Sequence, residues 1–209
     1  MCAPSAPCVK EGVNEGVNEE TTCVVGRCRP KKDALLAMGT ARRLVLAPDA
    51  IAVISEHGPS GGGVSLPETV SFGARTQGGT TLLLHFGLPM AEKTQVVAAF
   101  LVLEPLPFAS PPGAPVLIEL SRIVEPWRPD FVSWGRHPSL GVSERAGIVA
   151  ARPPSTLRLD VTPLVRAWAE RRPDEQGLAL LAEPNDAYGA TYSLGVSAGK
   201  GPTLEVYVR

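Results

Sequence analysis

The chain has 209 residues, and its 21 glycines and 21 prolines amount to about a fifth of it, against roughly an eighth in ordinary proteins. With 44% hydrophobic residues this excess falls short of disorder, so a folded core with many turns is expected. Twenty basic and 21 acidic residues leave a net charge of −1, which argues against a dedicated nucleic-acid binder and against attachment to an anionic membrane by charge.

Residues 1–38 differ from everything after them. They hold all four cysteines, Cys2, Cys8, Cys23 and Cys28, spaced C-x5-C-x14-C-x4-C. Zinc knuckles present two thiolates to one ion through C-x2-C, a spacing missing here, and no histidine precedes His57. Disulfides are the favoured reading, and they imply an oxidising compartment. Metal binding and free thiols are the alternatives, and no metal is assigned. Cys2 has a second reading. A bacterial lipoprotein begins with a lipid-bearing cysteine once its export signal is cleaved, and Met1 could stand where such a signal was removed. The segment is then a tether, and membrane attachment runs only through a lipid on Cys2. No apolar run reaches the roughly 18–20 residues of a membrane helix. Within the segment the repeated EGVN at 11–18 discourages regular structure. The basic cluster of Arg27, Arg29, Lys31 and Lys32 reads as a solvated linker, and 33–38 as one helical turn.

From residue 39 the pattern changes to short β-like runs separated by turns. Strands are expected at 42–47, 50–55 and 69–74, with the glycine-rich HGPSGGG of 57–63 between the last two. Further strands are expected at 80–86 and 94–104, the second an almost unbroken apolar run read as buried on both faces. The five prolines of 105–115 mark a loop, 116–125 alternates like a strand, and 126–154 is irregular around Trp127, Phe131 and Trp134. After a strand at 157–161, Thr162 sits at a helix cap and Pro163 at the first helical position. Leu164, Val165 and Trp168 then share one face of a short helix ending near 172. Strands at 177–183, 190–196 and 203–208 complete the chain. About nine strands and one helix predict an all-β protein, an antiparallel β-sandwich or jelly roll over 39–209, with 1–38 as a cysteine-containing extension.

Catalytic motifs are missing: there is no G-x-S-x-G, no H-E-x-x-H and no C-x-x-C. GVSAGK at 195–200 is one residue short of a phosphate loop and leads to a strand, so it reads as a hairpin. His57, His85 and His137 lie in no activated setting. Glu104, Glu119, Glu125 and Asp160 alternate with apolar neighbours as on solvated strand faces, and no pair among them stands out for sugar hydrolysis. Glu183, Asn185 and Asp186 could hold a structural Ca2+, although an Asx turn explains the same residues. No catalytic residue and no cofactor are assigned, and an enzyme is not expected.

The second half carries a pattern. LRLDVTPLVRAW at 157–168 followed by QGLALL at 176–181 resembles the core of DNRLRE-type domains. LLLHFGLP at 82–89, VAAFLVL at 97–103, Trp127 with VSW at 132–134 and Pro138, and TLEVY at 203–207 are similar to that family's other segments, in the same order over about 41–209. These are β-sandwich modules of bacterial and archaeal secreted proteins, some of them classed as family-96 carbohydrate-binding modules. Arg128-Pro129 and Gly135-Arg136-His137 depart from the pattern. The matching residues read physically as mainly structural: Asp160 and Thr162 can cap the helix, Trp168 can plug one end of the sandwich, and Gly177 permits a tight turn. Tyr188 and Tyr192 near Asn185 and Asp186 are the better exposed ligand candidates. Trp127 and Trp134 can stack on a sugar ring, though anchoring the long loop is the commoner use of such residues. The expected function is that of a non-catalytic secreted or cell-surface module binding polysaccharide. The alternative is a structural or adhesive component that binds another extracellular protein, and a polysaccharide hydrolase ranks below both.

Overall fold

The computed structural model describes residues 21–24, 27–30, 41–58, 66–89, 94–106, 116–141, 156–170, 176–185, 189–195 and 201–209. Twelve strands are described: β1 (Thr21–Val24), β2 (Arg27–Pro30), β3 (Arg42–Leu46), β4 (Ala50–Ser55), β5 (Thr69–Phe72), β6 (Thr80–His85), β7 (Val96–Leu103), β8 (Glu119–Arg122), β9 (Leu157–Asp160), β10 (Leu178–Ala182), β11 (Ala190–Ser193) and β12 (Thr203–Val208). One helix, α1 (Thr162–Glu170), follows β9 directly, and a 3-10 turn spans Pro129–Phe131.

Every pairing between these strands is antiparallel. One sheet runs β4-β6-β10-β8, a second runs β3-β12-β7-β9, and β11 pairs with β5. The two four-stranded sheets enclose the core of an all-β sandwich, with period-2 alternation putting Leu82, Leu84, Leu178 and Leu180 inward from the first. Ala99, Leu101, Leu103, Leu159, Leu204 and Val206 enter the same core from the second. Its layer is completed by Val70 and Phe72 of β5, Tyr192 of β11, and Leu164, Val165 and Trp168 of α1. Pro105 and Leu106, the start of the proline-rich stretch expected to be a loop, continue alongside β11: Leu106 N donates to Thr191 O at 3.2 Å and Ser193 N to Glu104 O at 2.9 Å.

Two expectations change here. Residues 27–30, expected to belong to a linker, form a strand, because β1 and β2 close an antiparallel hairpin, while Lys31 and Lys32 lie outside the described residues. The strand buried on both faces is β6, not β7. Thr80 to Leu84 are all buried, whereas Val97, Ala98 and Phe100 on the outer side of β7 are half-buried. The outer faces of β4, β6 and β10 are covered by the segment 123–141, whose Trp127, Val132 and Leu140 pack on Ala52, Ile54, Leu83 and Ala179. The β7 run is apolar throughout and β6 opens with two threonines, but neither pattern tells which strand a distant loop will cover.

The helix is placed by polar contacts with β7. Asp160 Oδ1 accepts from Thr162 N at 2.9 Å, so the carboxylate supplies the capping bond. The Thr162 hydroxyl, expected as a cap, turns into the core instead. It accepts from Ala99 N at 2.9 Å and donates to Ala99 O at 3.3 Å, stitching α1 to β7. At the other end of β7 the register with β12 shifts between Tyr207 and Val208, leaving Val97 as an extra residue. Arg166 closes this bulge, donating from Nε to Val96 O at 2.9 Å and from Nη2 to Val97 O at 2.8 Å. Before β10, Gly177 adopts φ +97°, and a Cβ there would run into the carbonyl oxygen of Leu84, so only glycine fits the entry to that strand.

Candidate functional site

The segment from Ile123 to Gly141 covers the outer face of the β4-β6-β10-β8 sheet and builds the site. Its two ends are tied together like a short ladder: Ile123 bridges Leu140, Val124 N donates to Ser139 O at 3.0 Å, and Gly141 N donates to Arg122 O at 2.7 Å. The Glu125 carboxylate strengthens the closure by accepting from Ser139 N at 2.8 Å and from Ser139 Oγ at 3.0 Å. Between these ends Pro126 and Pro129 fix φ, and Phe131 N donates to Arg128 O at 3.0 Å, closing the 3-10 turn.

Inside this frame lies an open cleft of about 350 Å³, walled by Glu125, Trp127, Arg128, Phe131, Arg136 and His137, with Pro126, Val132 and Pro138 between them. Trp127 is half-buried, and its Nε1 donates to Gln176 O at 2.8 Å, which fixes the ring against the sheet. Phe131 is 52% exposed, and the Arg128 guanidinium stands 5.1 Å from its ring centroid. His137 Nδ1 lies 3.1 Å from Pro138 O, so this nitrogen carries the proton and donates to the carbonyl. Chemically the cleft offers aromatic surface, a run of guanidinium and imidazole donors, and one carboxylate already engaged by Ser139.

The residues singled out by sequence separate in space. Trp127 lines the cleft, and it is also an anchor of the loop. Trp134 does not line it. This ring sits at the tight turn where Ser133 and Arg136 exchange hydrogen bonds, against Gly79: a Cβ on Gly79 would come 2.5 Å from Trp134 Cη2. Tyr192 was expected to be exposed, yet it is 1% exposed in the core, with its ring centroid 6.1 Å from that of Phe72. Burial there pushes the Tyr192 phenol above its ordinary pKa. Its alternating position on β11 points inward, so it cannot meet a ligand at the surface. Asn185 is exposed, and its N–H donates to Gly73 O at 3.1 Å. Asp186 and Tyr188 lie outside the described residues, as do Cys2 and Cys8. Asp160, Thr162 and Gly177 make the backbone contacts given above. Trp168 is buried, and its Nε1 has no hydrogen-bond partner among the described residues.

Phe131, Arg128, Arg136 and His137 were passed over as ligand candidates. Their signal was present in the two prolines and the tryptophan that force a turn beside exposed donors, but Arg128 and Arg136 read as departures from a family pattern. A second pair also went unread. Asp49 Oδ1 lies 2.5 Å from His85 Nδ1, and Asp49 N donates to His85 O at 3.0 Å, closing the end of the β4–β6 ladder. Among the described residues no three His, Cys, Asp or Glu side chains come together as a metal site, and no described helix is long and apolar enough to cross a membrane. No protein-family model matches this chain, and no curated protein matches it in sequence.

Proposed function

We propose that the chain is a non-catalytic, exported β-sandwich module that binds polysaccharide in the cleft at 125–138, with residues 1–38 as its tether to a cell surface. The observation that carries this reading is the exposed ring of Phe131 and the fixed ring of Trp127 lining one cleft with Arg128, Arg136 and His137. Sugar rings stack their apolar faces on aromatic side chains and take hydrogen bonds from donors at the rim, and shallow, partly polar clefts suit a chain-like ligand. The resemblance of residues 41–209 to DNRLRE-type modules supports the same class.

Affinity electrophoresis of the full chain through gels carrying a panel of polysaccharides tests the proposal. At least one polysaccharide should retard the protein, and Phe131→Ala and Arg136→Ala should each weaken that retardation by about 5-fold or more, since each removes about 1–3 kcal/mol of contact. Trp134→Ala should leave it within about 2-fold, because Trp134 does not line the cleft. Free migration in every gel, or retardation untouched by the two cleft variants, would sink the reading.

A second reading, an adhesive component that binds another protein, is favoured by the outer face of the β3-β12-β7-β9 sheet. Val45 is 54% exposed there, and Phe100 and Tyr207 meet edge to face with centroids 6.2 Å apart. Under that reading Val45→Lys, and not Phe131→Ala, abolishes capture of the partner. Turnover of a polysaccharide by repurified protein would point instead to a hydrolase.

A further inference from the structure

Among the described strands β1 and β2 pair only with each other, and a lone two-stranded hairpin is marginal in water without a further constraint. Their register sets Thr21 against Pro30, Thr22 against Arg29, Cys23 against Cys28 and Val24 against Arg27. Only Val25 and Gly26 separate the strands in sequence. In a hairpin with a two-residue connection, the pair next to the connection exchanges backbone hydrogen bonds and the following pair does not. Cys23 and Cys28 hold that second register position. Opposed Cα atoms at such a position generally lie about 4.5 Å apart, inside the range of roughly 4.4–6.8 Å found for disulfide-bonded residues.

We propose that Cys23 and Cys28 form an intrachain cross-strand disulfide, leaving Cys2 and Cys8 outside it. The C-x4-C spacing and the hairpin register then explain each other: four intervening residues are what place two cysteines opposite one another one step beyond a two-residue connection. A small-molecule disulfide such as oxidised glutathione closes the bridge. One cysteine thiolate attacks a sulfur of the oxidant and releases a glutathione thiolate. The second cysteine thiolate then attacks the mixed disulfide and releases the other. Two protein thiols lose two protons and two electrons, and the oxidant is reduced to two thiols.

The test is tryptic mapping of the full chain after equilibration with oxidised glutathione, alkylation of residual thiols and digestion without reduction. Cleavage after Lys10, Arg27 and Lys31 puts Cys2 and Cys8 on peptide 1–10, Cys23 on 11–27 and Cys28 on 28–31. The expected product is 11–27 joined to 28–31, two hydrogens lighter than the separate peptides, from protein that migrates as a monomer on a non-reducing gel. A Cys2→Ser/Cys8→Ser chain should give the same joined pair. Linkage of 11–27 or 28–31 to 1–10, alkylation of Cys23 and Cys28, or a covalent dimer through either would overturn the proposal.

Discussion

Thr162 shows how much one side chain can carry. Its hydroxyl is the partner of the Ala99 amide in the middle of the sandwich and also donates to the Ala99 carbonyl. Thr162→Val keeps the shape and strands a buried N–H, so we expect a loss of about 1–3 kcal/mol in chemical denaturation, with Thr162→Ser close to the parent. The sequence placed Thr162 at the start of a helix but assigned it the wrong bond, because the residue that needs the hydroxyl lies 63 positions away. Tyr192 was misjudged for a similar reason. A tyrosine close to Asn185 and Asp186 looks exposed in sequence, while the alternation of β11 against β5 turns it inward beside Phe72. Trp127 was legible as an anchor from its place in a proline-rich loop, but its place in the cleft wall depends on the fold bringing Phe131 and Arg136 to the same cleft.

At the scale of elements, the ten strands from β3 to β12 lie where apolar alternation and turn residues put them, mostly shorter by one to a few residues than the patterns allow. The helix follows from Asp160, Pro163 and one apolar face. The β7 bulge was not legible, since nothing in VVAAFLVL marks Val97 as the surplus residue. It is the neighbouring helix that makes the bulge tolerable, by sending Arg166 to the two carbonyls the ladder leaves open. Arg166→Met retains the aliphatic stem and removes both bonds. A cost of about 1–2 kcal/mol is expected, together with faster amide exchange at the start of β7 than in β10. Equal acceleration in both strands would mean that Arg166 acts on the whole sandwich and not on the bulge.

For the whole molecule, the two sheets differ in what lies outside them. One is roofed by its own loop, and among the described residues no segment covers the other, whose outer face is held in order by charge. Glu205 on β12 accepts from Arg43 on β3 through Oε1 and from Arg158 on β9 through Oε2 at 2.9 Å, so one carboxylate spans the sheet from edge to edge. The Arg158 guanidinium also lies 3.6 Å from the Phe100 ring centroid. Burial alone would raise the Glu205 pKa, but the hydrogen bonds and charges of Arg158 and Arg43 outweigh it and hold the carboxyl below its ordinary 4.5. A depressed pKa stabilises the folded state above the unfolded value, and that contribution fades as pH falls through the folded one. Glu205→Gln should therefore be less stable than the parent at pH 7, with the gap in thermal midpoint closing as the pH drops below about 4.5. A gap constant from pH 7 to pH 3 would contradict the assignment. No sequence pattern announces this network, because Arg43, Arg158 and Glu205 come together only through strand order.

The roof over the first sheet also limits how the protein can change. Ala52, Ile54, Leu83, Ile123 and Ala179 are dry because the segment carrying Trp127, Val132 and Leu140 lies on them. Shortening or swapping that segment would uncover an apolar sheet face along with altering the cleft, so the covering of the sheet and the shape of the cleft are inherited together. Under the proposed function, variation in ligand is then confined to the outward tips, Arg128, Phe131, Arg136 and His137, which line the cleft but are not among the side chains packed on the covered face. A library restricted to those four positions should keep the fold and the oligomeric state of the parent, whereas one that reaches Trp127 or Leu140 should yield aggregates.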